Sequence, residues 1–138
     1  MKIRVGGEYS EDVEVRFPAV TQKMRKSWKD LREAVDHGAS GVAILLMREM
    51  TNLTVIERSV TGTGFDYWLG PEDSDDDDLI FQDMVRLEIS GINSGTRQEL
   101  RRRVKDKLTQ TEQSDSWGLT AYVVVVEFSA PCSEVVKK

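Results

Sequence analysis

The chain has 138 residues, a net charge of −5, 39% hydrophobic residues and 31% charged residues. This length suits one domain with one core, and the composition is ordinary for a soluble globular protein. No apolar run approaches the roughly 20 residues that cross a bilayer, so we expect no membrane partner, and the acidic balance argues against a general nucleic-acid binder.

The N-terminal region predicts a hairpin followed by a helix. Alternating apolar and charged residues over 1–17, with Gly6-Gly7 as the turn, are typical of two short strands. Pro18 ends this pattern. Thr21 is a suitable N-cap for a helix over 22–36, whose apolar residues step by 4, 3 and 4: Met24, Trp28, Leu31 and Val35.

A second helix is predicted over residues 40–50, because His37-Gly38 is expected to end the first one. The segment Val42 to Met47 is apolar on almost all sides, so this helix should be largely buried.

Three strands should follow as an antiparallel meander, over residues 53–60, 65–69 and 79–89. Thr61 to Gly64 supplies the first turn. The acidic run 72–78 is expected to be a solvated loop.

The last third predicts a helix, a polar loop and a buried strand. Leu100, Val104 and Leu108 form a narrow apolar stripe on a helix over 96–108. A polar loop over 109–118 leads to a strand over 121–128, whose four consecutive valines indicate burial on both faces. This strand should lie parallel to the third one. Pro131 ends it, and residues 129–138 are expected to be a tail, in which Glu134 to Lys138 are either frayed or an edge strand.

Charges are segregated along the chain. Two segments, 23–32 and 97–107, are strongly basic, whereas 71–78 is acidic without a positive charge. A protein that is acidic overall can therefore still present one basic face.

Two acidic residues stand inside predicted strands, where such residues are uncommon. Asp66 begins the second strand and Glu88 lies near the end of the third, so antiparallel pairing would bring them together. On the third strand Arg86, Glu88 and Ser90 share the face opposite to Val85, Leu87 and Ile89. Two carboxylates at one point of a sheet are typical of a divalent-metal site that cleaves phosphodiesters, and Glu57 could supply a further carboxylate.

The order αβββαβ over residues 38–128, with Gly64-Phe65-Asp66 opening the second strand and Glu88-Ile89-Ser90 where an E-x-K would stand, resembles the PD-(D/E)XK nuclease superfamily. The resemblance implies an α/β fold with a restriction-endonuclease-like core, a mixed sheet flanked by helices. In this interpretation the single domain 1–138 consists of an N-terminal hairpin and helix (1–37), the core and the tail.

The resemblance also implies site roles. Asp66 and Glu88 would bind Mg²⁺ or Mn²⁺, and Glu49 corresponds loosely to the helix glutamate of the family. Ser90 replaces the family's lysine and has neither its charge nor its reach, so we expect weak or no cleavage unless Lys105 or Lys107 serves from the following helix. The phosphate-contacting residues would be Arg86, Arg101 and Lys107.

Other interpretations remain open at this point. Asp66 could cap a strand end, and Glu88 could form a cross-strand salt bridge with Arg86 or Arg58. The three tryptophans are expected to be packing residues. The whole chain could be a non-catalytic binding or interaction module with a protein partner, built on the same fold.

The N-terminus Met1-Lys2-Ile3-Arg4 has no apolar signal region, and the single Cys132 cannot form an internal disulfide. Both features predict a cytoplasmic location. The lone His37 is distant from Cys132 in sequence, so we expect a free thiol rather than a nucleophile.

Overall fold

The computed structural model describes residues 1–73 and 84–138 and shows a mixed α/β fold around one seven-stranded sheet. The strand order is β2-β1-β7-β6-β5-β4-β3. The strands are β1 Lys2–Val5, β2 Glu8–Asp12, β3 Leu53–Arg58, β4 Tyr67–Pro71, β5 Val85–Ile92, β6 Ala121–Glu127 and β7 Cys132–Lys137.

In residues 1–73 and 84–138, three α-helices and one 3₁₀ helix accompany the sheet: α1 Gln22–Ser27, α2 Leu31–Thr51, α3 Arg97–Thr111 and the 3₁₀ helix Glu112–Trp117. Each α-helix begins at a side-chain cap. The oxygen atoms of Thr21, Asp30 and Thr96 accept hydrogen bonds from the backbone N–H three residues later, at 3.2, 3.0 and 3.2 Å. Thr96 and Glu99 also complete a capping box.

The predicted order αβββαβ is present from α2 to β6. Strands β3, β4 and β5 form the expected antiparallel meander. Strand β6 lies inside the sheet, antiparallel to β7 and parallel to β5, with Arg86 opposite Ala121. The prediction of a mixed sheet with an interior last strand of this unit is therefore confirmed.

The helices cover opposite faces of the sheet. Helix α2 buries Ala39, Ala43, Leu46 and Met47 against a face that includes Leu87 and Ile89. Helix α3 buries Leu100 and Val104 against Val123 and Val125 on the other face. Because side chains alternate along a strand, Arg86, Glu88 and Ser90 point toward the α3 side, as predicted.

The predicted helix boundary at His37-Gly38 is wrong. The first helix, α1, ends earlier, with Trp28 as its C-cap. A separate helix, α2, runs from Leu31 through Gly38 to Thr51. A side chain at Gly38 would meet the ring of Phe128 at 3.3 Å, so this glycine lets the helix pack closely. The first three residues of the predicted apolar stripe remain exposed, by 41% at Met24, 48% at Trp28 and 59% at Leu31.

The predicted tail is also wrong, because most of it is the interior strand β7, placed between β6 and β1. Strand β1 pairs in parallel with β7, which joins the N-terminal hairpin to the main sheet. The hairpin itself is shorter than predicted, since β2 ends at Asp12. The predicted polar loop 109–118 contains the last turn of α3 and the 3₁₀ helix.

Most of the predicted acidic loop and the predicted start of the third strand, within residues 74–83, lie outside the described residues. Within residues 1–73 and 84–138, none of the helices has the length and apolar character needed to cross a membrane.

Candidate functional site

A cleft of about 1150 Å³ opens between the N-terminal half of α2, the adjoining ends of β4 and β5, and α3. Acidic and basic side chains both reach it. Its lining includes Arg32, His37, Arg58, Asp66, Arg103 and Lys107.

The sheet brings Glu88 close to Asp66, which lines the cleft, whereas Glu88 itself lies buried and outside the cleft lining. Tyr67 pairs with Leu87 in the antiparallel ladder. Asp66, one residue before Tyr67, therefore lies beside Glu88, one residue after Leu87. The Asp66 N–H donates to the Leu87 carbonyl at 2.8 Å, and the Ile89 N–H donates to Asp66 Oδ2 at 2.8 Å. One oxygen of Asp66 thus caps the end of the β4–β5 ladder, while the residue borders the cleft.

Glu88 is a buried carboxylate, only 1% exposed, that uses one of its two oxygens. Its Oε1 accepts from Lys107 Nζ at 2.6 Å and from Gln110 Nε2 at 3.1 Å. Its Oε2 is buried and has no hydrogen-bond partner among the described residues. The ion pair is therefore with Lys107 rather than with Arg86 or Arg58, and Oε2 is a buried acceptor of the kind that is uncommon in folded proteins.

Burial raises the pKa of Glu88 from 4.5 to about 7, and the negative charge of Asp66 acts in the same direction. The ammonium of Lys107 opposes both effects. The Glu88 carboxyl therefore changes its protonation state near neutral pH, a behaviour that is enriched at functional sites.

Helix α3 supplies the groups that face these carboxylates. Leu100 and Val104 dock the helix on the sheet, and this docking turns Arg103, Lys107 and Gln110 toward β5. Their spacing of 4 and 3 residues places them along one side of a helix. Lys107 Nζ also donates to Gln110 Oε1 at 3.1 Å, so the two side chains hold Glu88 together.

A second cation stands beside Ser90. Ser90 is 8% exposed, and its hydroxyl accepts from Arg103 Nη1 at 2.8 Å. The guanidinium also donates to the Gly91 carbonyl at 3.3 Å. Sequence reasoning did not single out Arg103 or Gln110, although their spacing from Lys107 was a signal that could have identified them.

The structure separates the remaining candidates from this cluster. Lys105 and Arg101 are exposed on α3 and do not line the cleft. Glu49 is exposed near the end of α2 and borders a different groove, with Arg48. Glu57 is exposed on β3 and is also absent from the cleft.

Arg86 has a structural role on the same sheet face. Its side chain is 2% exposed, and its guanidinium donates to the carbonyls of Thr111 and Leu119 and to the side chains of Ser114 and Asp115. These bonds tie the 3₁₀ helix to β5, so Arg86 does not face the cleft.

Asp66 and Glu88 are the residues at this point that could hold a divalent cation. In the described ranges, 1–73 and 84–138, no three histidine, cysteine or acidic residues are grouped to hold a metal. Mg²⁺, however, commonly binds one or two protein carboxylates and keeps several waters. Asp66 and Glu88 supply two carboxylates, and Oε2 of Glu88 is shielded from solvent.

Comparison of the chain with protein-family models, with curated proteins and with solved structures finds no match.

Proposed function

We propose that this protein is a metal-dependent nuclease of the PD-(D/E)XK type, with the restriction-endonuclease-like core formed by α2 to β6. One observation carries the proposal. Glu88 is buried beside Asp66 with Oε2 unpartnered, and Lys107 lies 2.6 Å from its other oxygen. This group combines the two carboxylates and the cation that the resemblance requires.

In the proposed mechanism Asp66 and Glu88 would hold Mg²⁺ or Mn²⁺. When bound, the ion would supply Lewis-acid polarisation of the phosphate and a lowered pKa for the attacking water. Gln110 and Lys107 fix the orientation of Glu88, since both donate to its Oε1.

Lys107 serves in this proposal as the lysine displaced from the position of Ser90. Its ammonium lies beside Glu88 and lines the cleft, so it would place a positive charge next to a phosphate bound there. Arg103, held beside Ser90 and lining the cleft, adds positive charge against the phosphate.

The alternative proposal is a non-catalytic interaction module. The Lys107–Glu88 ion pair favours this alternative, because Lys107 neutralises the buried carboxylate without a metal. Exposed apolar side chains also favour it, including Phe17 at 75% and Val60 at 71% exposure.

Cleavage of supercoiled plasmid with Mn²⁺ separates these proposals. We expect activity in the wild type and a loss of about 10²-fold or more in Lys107→Ala, because removal of one well-placed cationic donor costs rate by such factors. Lys105→Ala is the matched comparison, since it removes the same charge from the same helix outside the cleft. Asp66→Asn and Glu88→Gln should be inactive.

Equal loss in Lys105→Ala and Lys107→Ala would contradict the assignment of the displaced lysine. An inactive wild type that folds normally would contradict nuclease function and favour the interaction module.

A further inference from the structure

A basic and apolar segment, residues 20–32, borders the cleft; we call it the rim segment. Leu31 and Arg32 line the cleft directly. The ring of Trp28 lies 5.0 Å from that of His37, which is another cleft residue. Trp28 therefore lies next to a residue of the cleft lining.

The rim segment exposes both its charges and its apolar groups. Helix α1 within it buries none of its residues. Trp28 is 48% and Leu31 59% exposed. Its cations, Lys23, Arg25, Lys26, Lys29 and Arg32, are opposed only by Asp30, whose carboxylate caps α2.

These cations are available for a partner. In the described part of the chain, neither Lys29 nor Arg32 forms an ion pair with a carboxylate. An exposed aromatic ring among free cations is the arrangement that binds single-stranded nucleic acid, because the ring stacks on a base and the cations track the phosphates.

We propose that the rim segment binds single-stranded nucleic acid, with one base stacked on Trp28 and the adjacent phosphates on Lys29 and Arg32. The inference rests on the proposed function of the cleft and names the form of its substrate. A strand held at Trp28 continues past Arg32 into the cleft, where Arg58 and Arg103 meet its next phosphates.

The shape of the surface favours a strand over an anionic membrane. An amphipathic helix on a bilayer needs a broad apolar face in the plane of the lipid headgroups. Here a path of cations leads from Arg32 at the rim to Arg58 and Arg103 in the cleft, whose lining also includes Asp36, Asp66 and Asp106. A single strand can follow that path, whereas a bilayer surface cannot enter it.

Binding of fluorescein-labelled oligo-dT, about twelve nucleotides long, tests the inference by anisotropy in EDTA at about 50 mM salt. EDTA prevents metal-dependent cleavage, so binding is measured alone. We expect Trp28→Ala to weaken binding about tenfold, as the loss of one stacked base predicts, and Trp28→Phe to restore most of it. The double variant Lys29→Gln/Arg32→Gln should lower the slope of log affinity against log salt by about 1.4.

The matched control is Arg102→Gln/Lys137→Gln, which removes the same charge from exposed positions that do not line the cleft. It should bind within about twofold of the wild type, because phosphate contacts are local. Thermal unfolding of every variant should stay close to that of the wild type, since each substituted residue is exposed.

Absence of oligo-dT binding by the wild type, or equal weakening in the control, would overturn the inference. Binding to phosphatidylserine vesicles that depends on Trp28, without oligo-dT binding, would overturn it in favour of a lipid surface. Binding without Mn²⁺-dependent cleavage would refute the proposed nuclease and leave the strand site intact. Cleavage by the Trp28→Ala variant with an unchanged KM for single strands would support the nuclease and refute the strand site.

Discussion

The Glu88 side chain carries an energetic cost that its partners only partly offset. A buried carboxylate loses its hydration, and an ion pair in such a place does not always repay that loss. Here Lys107 and Gln110 both contact Oε1, whereas Oε2 has no partner in the described residues. The charged form of Glu88 is therefore expected to lower the stability of the fold.

This cost predicts a pH-dependent effect of Glu88→Gln. The pKa of Glu88 is raised from 4.5 to about 7 in the folded state, so the folded protein binds more protons than the unfolded chain between these values. Stability should fall as the pH rises through this window, by on the order of 3 kcal/mol for this one group. Glu88→Gln should thus be more stable than the wild type near pH 8, by about 2 kcal/mol, and nearly equal near pH 5.

Urea unfolding followed by circular dichroism at the two pH values measures this difference. Glu57→Gln is the control, since Glu57 is exposed and its substitution should have the same small effect at both. A Glu88→Gln protein that is less stable than the wild type near pH 8 would show that the ion pair with Lys107 stabilises the fold.

The sequence placed Asp66 and Glu88 together because strand pairing depends on a regular alternation. The sequence did not decide which of Lys105 and Lys107 faces these carboxylates. On a helix, Lys107 lies about 60° from the buried Val104, and Lys105 lies about 100° away on the other side. The side of α3 that faces β5 follows from how the helix docks on the sheet, and that docking is a tertiary contact absent from the helix pattern.

At the scale of elements, the loop before β4 approaches the C-terminal part of α3 very closely. Gly64 has φ of +77°, and a Cβ there would lie 2.1 Å from the Gln110 carbonyl oxygen. Since Gln110 donates to Glu88, this contact connects the position of the helix to the geometry of the site.

Gly64→Ala should therefore destabilise the fold and disturb the site. We expect a loss of about 3 kcal/mol, from a disfavoured backbone conformation and from steric overlap. Gly62→Ala is a matched control, because Gly62 also has positive φ, +95°, but a Cβ at Gly62 would meet no atom within 4 Å beyond its neighbours in the chain. It should cost only about 1 kcal/mol. Equal losses in urea unfolding would contradict the close contact.

Element boundaries were predicted well where local chemistry decides them and poorly where packing does. Thr21 was identified as a cap, and its side chain accepts from the Met24 N–H. Gly38 was expected to end a helix because glycine is a weak helix former. In the structure α2 continues through it, and the absence of a side chain admits the ring of Phe128. Such a contact between distant segments leaves no local pattern.

At the scale of the whole molecule, β7 joins the two parts of the sheet. It pairs with β6 on one side and with β1 on the other. The sequence predicts a tail or an edge strand here, because Pro131 ends the strand before it, and the segment contains the polar residues Ser133 and Glu134. Both are buried, and Glu134 accepts a hydrogen bond from Arg4 Nε at 3.1 Å, which is a partner far away in sequence.

Truncation after Pro131 should therefore unfold the protein rather than trim it. The loss of β7 removes the partner of β1 and exposes the edge of β6, with its buried valines Val123 to Val126, to pairing with other chains. We expect an aggregated product without a cooperative thermal transition. A truncated chain that melts cooperatively near the wild-type temperature would show that the segment is a tail after all.

A point variant tests the same role of β7 in a chain that still folds. Val135 is 1% exposed, so Val135→Ala should lower the free energy of unfolding by about 2 kcal/mol through the loss of two buried carbon groups. Val60 is 71% exposed, so Val60→Ala should change it by less than about 0.5 kcal/mol.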